Sequence, residues 1–420
     1  MKKLFALLLA CLMIVGMFAG CNKKDAGDEK GSVYYLNFKP EFNDALTELA
    51  KKYQEKTGIE VKIVTAASGD YNNTLTSNIK DVTIFNIGNS ALLADWDEYA
   101  LDLTDSAIAK ELTTNDFNLY NADGKLKAIG NCYESFGIIV NTKLLKDAGY
   151  ELSDITDFAS MKAVVEDIHS RAAELGFDAF TTSGLQDSSS WRFSGHLATL
   201  PLHYEGIKSA VPTITGNKLD LFKNVWDLYI NNAAADPTTL TGESDAAAEF
   251  KAGKAVFYQN GTWEYAGLKE AGMTDDQLAM IPIYCGADTD KNAALCSGTE
   301  NCWAINAKAS AADQKASIDF LVWLVSDAEA SKVYVEQLGA VPFKNCPASS
   351  NKFVADGNAM RAAGKTSISW AFNYTPNVDA WRATVVTALA AYSAGTAEWS
   401  EVVTAFVDGW AYEYGVVNGN

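Results

Sequence analysis

Three observations predict an α/β fold made of two interwoven units. Strand-like and helix-like periodicities alternate from the first folded residues onward. The 420-residue length exceeds one ordinary domain, and 48% of the chain is hydrophobic, ample material for a core. Only eight prolines are present, so no stiff linker sets units in series. Hinge strands crossing between units fit better.

The elements follow in order. Val33-Tyr34-Tyr35-Leu36-Asn37-Phe38 reads as a strand. Glu41 to Thr57 reads as an amphipathic helix, with Phe42, Ala45, Leu46, Leu49 and Tyr53 on one face. Gly58 is its left-handed stop. Ile59 to Val64 is a second strand, Tyr71 to Ile79 a helix, and Val82 to Phe85 a short buried strand. Strand–helix–strand–helix–strand with short links implies right-handed crossovers. Ala128 to Asn141 is a long apolar run and a candidate crossing between units. Helical patterns follow at 158–175, 219–230 and 246–252. Strand-like runs occupy 255–258 and 280–283. A strand at Cys302 to Ile305 precedes a helix over 311–325. Helices over 379–392 and 399–412 close the chain.

Charge narrows the function. Lys and Arg total 34 against 53 Asp and Glu, a net charge of −19. Such an acidic chain suits neither nucleic acid nor electrostatic docking on anionic lipid. The N-terminus carries a leader pattern: Met1-Lys2-Lys3, then an apolar run from Leu4 to Phe18, then Ala19-Gly20-Cys21. The run is short for a spanning helix. Small residues before a cysteine resemble a bacterial lipobox, with Cys21 acylated as the mature N-terminus; Phe18 departs from its usual leucine. Residues 1–20 then form the signal peptide and 21–31 a polar tether. Membrane attachment is expected through that lipid alone. Losing Lys2 and Lys3 moves the net charge to −21.

Familiar catalytic and metal motifs fail. The five remaining cysteines, at 132, 285, 296, 302 and 346, form no CxxC and no even framework. Cys296 and Cys302 could pair, or all could be buried thiols. The histidines, at 169, 196 and 203, lack metal-ligand spacing and read as surface residues or backbone partners. No metal and no cofactor is expected. Ala359 to Thr366 fits a relaxed phosphate-loop pattern but lacks the preceding strand and the following helix. GxSxG, GxGxxG and HExxH are absent.

Four segments remain. Phe250 to Trp263 reads as a helix end, a Gly turn, a strand and a Gly-containing loop that presents a Trp. Gly130 to Asn141 carries Glu134 inside an apolar strand. Ser297 to Asn306 runs from a polar loop into a strand. Leu338-Gly339-Ala340-Val341-Pro342-Phe343 follows a helix. In this order the four resemble the sugar-binding family of solute-binding proteins of bacterial ABC importers, across residues 32 to 415. The resemblance implies a type II periplasmic-binding-protein-like fold, with two α/β lobes, hinge strands and a ligand cleft between them. Lobe one would be 32–136 plus 296–340. Lobe two would be 137–295 plus 341–420, its last helices packing back across. It also implies no catalysis, a sugar ligand, and delivery to permease subunits by a monomer.

A pyranose has an apolar C–H face that suits an aromatic ring, and a hydroxyl rim that suits amides and carboxylates. By resemblance, Trp263 stacks on a sugar ring and Glu134 is a hinge-strand carboxylate. A lone Glu in an apolar run is costly unless paired or facing a cleft. Family loops supply an aromatic and an acid where Trp191 and Asp187 stand. Asn86 and Asn89 follow the 82–85 strand, at the carboxyl end where open α/β sheets bind ligands. Glu300 and Asn301 would line the cleft or brace the hinge. Either Trp370 or Trp381 would add a further stacking ring. The short segment between Asn78 and Val82 departs from the family pattern, which leaves the sugar and its chain length open.

Two alternatives stay open. The same fold could take a polyamine or peptide, which would call for several cleft acids or a carboxylate clamp. A secreted glycoside hydrolase would need two carboxylates flanking one bond, and Glu134 with Glu300 or Asp187 could be such a pair.

Overall fold

The computed structural model describes residues 30–66, 68–115, 117–182, 184–186, 189–234, 245–299 and 302–419. Twelve strands follow in chain order: β1 (Ser32–Asn37), β2 (Glu60–Thr65), β3 (Ile84–Ile87), β4 (Leu119–Tyr120), β5 (Leu126–Gly130), β6 (Glu134–Asn141), β7 (Asp178–Phe180), β8 (Ala255–Gly261), β9 (Leu278–Ile281), β10 (Ala293–Gly298), β11 (Cys302–Ile305) and β12 (Thr366–Ser369). They form two sheets. The first has the order β2-β1-β3-β11-β5-β4, the second β12-β10-β6-β8-β7, with β9 pairing β6.

Alternation builds lobe one around the first sheet. Val33 and Tyr35 of β1 enter a core with Leu46, Leu49 and Phe320, from the helices Asn43–Thr57 and Ala311–Ser326. Leu36 points the other way, to a core with Leu75 and Leu93, from the helices Ser68–Asn78 and Ser90–Trp96. Successive residues of a strand face opposite sides, so one short strand serves both helix layers. Gly58 ends the first helix at φ 70°, the left-handed stop expected of it.

Lobe two repeats the logic. Phe136, Ile138 and Val140 of β6 face the large core, and Ile139 faces Phe250, Tyr258 and Phe353 on the other side. The helices Val378–Ser393 and Trp399–Val417 place Trp381, Val385, Leu389, Phe406 and Trp410 in that large core. The closing helices therefore belong to lobe two rather than packing back across.

The long apolar run is two strands. β5 ends at Gly130 in lobe one, and β6 begins at Glu134 in lobe two. Gly130 leaves room for Phe117, against which a Cβ would sit 2.5 Å away. The second crossing lies between Gly298 of β10 and Cys302 of β11. The third follows Phe343, still in lobe one's core, and precedes Phe353 in lobe two. These passages stand a few residues from the expected breaks at 136, 296 and 340. The sequence places breaks where apolar runs change, whereas the chain changes sheet where pairing partners change.

The phosphate-loop pattern is a helix end followed by a strand, Lys352–Ala362 then Thr366–Ser369, the reverse of what a phosphate loop needs. All five described cysteines are free thiols. Cys296 sits in lobe two's core and Cys302 in lobe one's, so the pairing considered for them does not form.

Candidate functional site

Strand direction decides which sheet edges face each other. In lobe two, β7 runs parallel to β8 and β10 parallel to β12, while β6 runs antiparallel to β8 and β10. Their carboxyl ends therefore gather beside the start of β6. Register places Gly261 opposite Phe136, and Gly298 opposite Glu134. In lobe one, β1, β2 and β3 are parallel, and β5 lies across antiparallel β11. Their ends bring Asn37, Ile87 and Gly130 to one edge. Both edges adjoin the hinge passages, so the cleft lies between two carboxyl edges, where open α/β sheets bind ligands.

Lobe two's edge is aromatic. Trp263 is half-buried and folds its indole back over Gly261, where a Cβ would collide with the ring. Trp370 lies over Gly298 in the same way, a Cβ there falling 2.5 Å from the indole. Two strand-end glycines thus seat two indoles. The Trp263 turn is pinned to the hinge strand: Thr262 N–H donates to the Ser135 carbonyl at 2.8 Å, and Asn351 donates to the Thr262 carbonyl at 2.8 Å. Trp191 opens the π-helical turn Arg192–Leu197, and its ring lies 6.1 Å from Trp263. The Trp370 indole N–H is buried, with no hydrogen-bond partner among the described residues. Glu264, beside Trp263, accepts from Asn260 at 3.1 Å, and burial raises its carboxyl pKa.

Lobe one's edge is polar. Asn37 shapes the loop after β1, donating to the Lys39 carbonyl at 2.7 Å and accepting from the Lys39 N–H at 3.1 Å. Lys39 then reaches the Glu134 carboxylate at 2.7 Å, with both side chains mostly buried. It is the one described ion pair that joins the two lobes. The helix Ser90–Trp96 meets the turn Ala371–Tyr374 of lobe two at a second bridge. Asn89 caps that helix, its Oδ1 accepting from Leu92 N–H at 2.9 Å. Asn86 is buried with its side chain against the Tyr35 hydroxyl.

A family model described as bacterial extracellular solute-binding protein matches residues 48–362. The chain belongs to that family. Solved structures share the fold at low identity. A putative binding protein, msme, from Bacillus subtilis in an open conformation is 16% identical, with TM-score 0.74 over 94% of this chain and 99% of its own. A family 1 extracellular solute-binding protein from Bifidobacterium longum subsp. infantis is 16% identical, with TM-score 0.67 over 91% of this chain and 100% of its own. RafE in complex with raffinose is 15% identical, with TM-score 0.68 over 90% of this chain and 99% of its own. RafE in its apo form is from Streptococcus pneumoniae. No curated protein sequence matches. As a solute-binding protein of this family, the chain works outside the cytoplasm as a binder and not as an enzyme.

The expected site residues fall into four groups in this solute-binding protein. Trp263, Trp191, Trp370 and Glu134 converge at lobe two's edge, and Asn86 and Asn89 stand at lobe one's. Trp381 does not join them. It is fully buried against Phe406 and Trp410 and donates its N–H to the Phe406 carbonyl at 2.9 Å, so that expectation is corrected to a core residue. Asp187, Glu300, Asn301 and Cys21 lie outside the described residues.

Sequence reasoning missed two residues. Lys39 follows β1 as an ordinary lysine, and only the turn made by Asn37 aims it across the hinge. His196 is corrected from a surface reading. It is 5% exposed, stacked on Phe136 at 3.8 Å and 6°, and in ring contact with Trp191 and Trp263. A groove of about 690 Å³ between the last two helices, lined by Ala, Thr and Glu401, lacks the aromatic and amide groups of the cleft edges.

Proposed function

We propose that this chain is the lipid-anchored solute-binding component of an ABC importer, capturing a neutral sugar or oligosaccharide between its lobes and passing it to a membrane permease. The observation that carries the sugar reading is the pair of glycine-seated indoles, Trp263 on Gly261 and Trp370 on Gly298, with Trp191 beside Trp263. Flat rings supply the apolar faces that a pyranose needs. Raffinose in complex with a protein of the same fold supports the class of ligand. A chitin oligosaccharide binding protein of this fold, with TM-score 0.70, supports it too.

A polyamine is disfavoured by charge. The described charged groups at the aromatic edge are the guanidinium groups of Arg192 and Arg382 and one carboxyl, Glu264, which burial holds towards its neutral form, while the Glu134 carboxylate is already paired with Lys39. Cys21 carries the anchor in this reading, through the Ala19-Gly20-Cys21 pattern. Cys21→Ser is expected to release the protein from the membrane fraction, since acyl chains would supply the attachment.

A thermal-shift panel of mono- and oligosaccharides, with putrescine and a tripeptide as controls, tests the ligand class. A sugar at about 100 times its Kd stabilises by about 2.7 kcal/mol. Stabilisation by the controls alone would overturn the sugar reading. Appearance of new reducing ends during incubation would reinstate hydrolysis.

A further inference from the structure

His196 sits where the aromatic edge meets the hinge. Its ring lies flat on Phe136 of β6 at 3.8 Å, edge-on to Trp191 at 4.9 Å, and 5.6 Å from Trp263. Each of these rings belongs to a different element, and His196 is the residue they share. Its Nδ1 lies 3.1 Å from the Gln259 side-chain nitrogen. With the amide in this orientation its nitrogen donates, Nδ1 accepts and the ring hydrogen resides on Nε2. The residue is carried on a π-helical turn whose six residues are all buried, a wide helical form often found at functional sites.

The surroundings are arranged against charge on this ring. Gly195 leaves space for Arg382, where a Cβ would fall 2.9 Å from the guanidinium. Arg382 comes from the helix Val378–Ser393, and Arg192 comes from the same turn as His196. The other elements packed on the ring bring Phe136, Gln259, Trp263, Trp370 and Phe372, none of them charged. Glu134, two residues before Phe136, is neutralised by Lys39.

We infer that His196 is the positioning residue of the cleft, an uncharged imidazole that fixes Trp191 and Trp263 against the hinge strand, with Arg382 set beside it to keep a second positive charge out. A protonated ring would face two guanidinium groups and would present a donor to the Gln259 donor. Burial first, then Arg382 and Arg192, pushes its pKa well below the ordinary histidine value. The aromatic edge therefore keeps one geometry as the medium outside the cell acidifies. The positioning role rests on the reading that these indoles meet the ligand. The charge state of the ring does not.

The first test needs no ligand. In the full chain with isotope-labelled histidine, NMR is expected to show His196 as the neutral Nε2–H tautomer from about pH 8 to about pH 5.5. A charged ring at about pH 6.5, or an Nδ1–H tautomer, overturns the inference. Second, tryptophan fluorescence of the wild type is expected to stay flat over that range. Below that range, Arg382→Gln is expected to raise the pH at which acid changes the signal, a shift absent from Arg382→Gln with His196→Phe. An unshifted acid transition in folded Arg382→Gln, or a shift that survives in the double variant, overturns it. If Arg382→Gln does not fold, the wild-type NMR decides. Third, with whichever panel sugar stabilises the wild type, His196→Ala is expected to weaken binding about fivefold or more, and His196→Phe to recover most of that by keeping the stack. Equal affinity in His196→Ala overturns the positioning role. Should no sugar bind the wild type, the sugar reading fails, and the NMR and fluorescence results still decide the state of the ring.

Discussion

The two edges of the cleft are chemically unlike. Lobe two offers three partly or largely buried indoles and a neutral histidine, locked by Gly261, Gly298 and a turn fastened to Ser135. Lobe one offers a lysine, a helix-capping Asn89 and the buried amide of Asn86. Stacking needs only one surface and no partner from the opposite side. Hydrogen bonds and ion pairs from lobe one need the lobes to be close. Affinity should therefore reside mainly in lobe two, and closure should be decided mainly by lobe one, because a ligand shifts a conformational equilibrium only through contacts made in one state and not in the other.

The largest expected effect tests lobe two's share. Trp263→Ala should lose about 1–3 kcal/mol of sugar binding, roughly five- to a hundredfold, with the fold intact. Isothermal titration of the variant against a sugar that binds the wild type measures it. A greater loss in Asn86→Ala than in Trp263→Ala would reverse the assignment of the two lobes.

Acid should act on the same asymmetry. All three histidines lie in lobe two, and burial lowers the pKa of His196 and His203. The unfolded chain takes protons near pH 6.5 that the folded chain refuses. Stability is therefore complete above that value and falls as pH drops from it towards the lowered folded values. Each refused proton costs up to about 1.4 kcal/mol per pH unit. Hydrogen exchange at about pH 7 and about pH 5.5 should show lobe two's core opening before lobe one's. Equal loss of protection in both lobes would break the comparison.

The Lys39–Glu134 pair tests what lobe one does. Removing Lys39 alone leaves a mostly buried carboxylate without its partner, which costs more than removing both charges. Lys39→Met should widen the cleft, read as a larger radius of gyration in X-ray scattering. A double-mutant cycle with Glu134→Gln should return a coupling of roughly 0.5–3 kcal/mol. An unchanged scattering curve would mean that the pair braces the hinge without holding the lobes together.

The legibility of these features in the sequence followed the same division. Trp263 and Glu134 stand out in the sequence because each breaks a local rule: a Trp presented by a Gly-containing loop, and a charge inside an apolar strand. Trp381 was misjudged, although Trp381, Val385 and Leu389 recur every four residues and are the buried stripe of their helix. His196 was missed because a histidine without metal-ligand spacing reads as a surface residue or a backbone partner; only tertiary packing brings Phe136, Trp191 and Trp263 onto one ring. Lys39 was missed for a similar reason, since its direction depends on a side-chain turn made by Asn37. Most of the elements were legible from periodicity. The hinge passages were harder, because pairing between distant strands, and not local pattern, decides where a chain changes sheet.

The smallest effect is the most discriminating for lobe one. Asn89 has two separable functions. Its Oδ1 caps the helix Ser90–Trp96 through Leu92 N–H, and that helix also bridges to lobe two. Asn89→Ala removes the cap and should cost about 1 kcal/mol of stability, so a loss of binding in that variant would say little about contact. Asn89→Asp keeps an oxygen in the capping position and adds a charge that the helix N-terminus favours, so stability should stay within a few tenths of a kcal/mol. What it removes is the amide NH2, the group that could donate to a sugar hydroxyl from this side. If lobe one contributes that hydrogen bond, Asn89→Asp should weaken binding by about 0.5–1.5 kcal/mol while the melting temperature holds. Unchanged affinity at unchanged stability would confine Asn89 to capping and leave the hydrogen bonds of this edge to its other described amides, Asn86 and Asn131 among them.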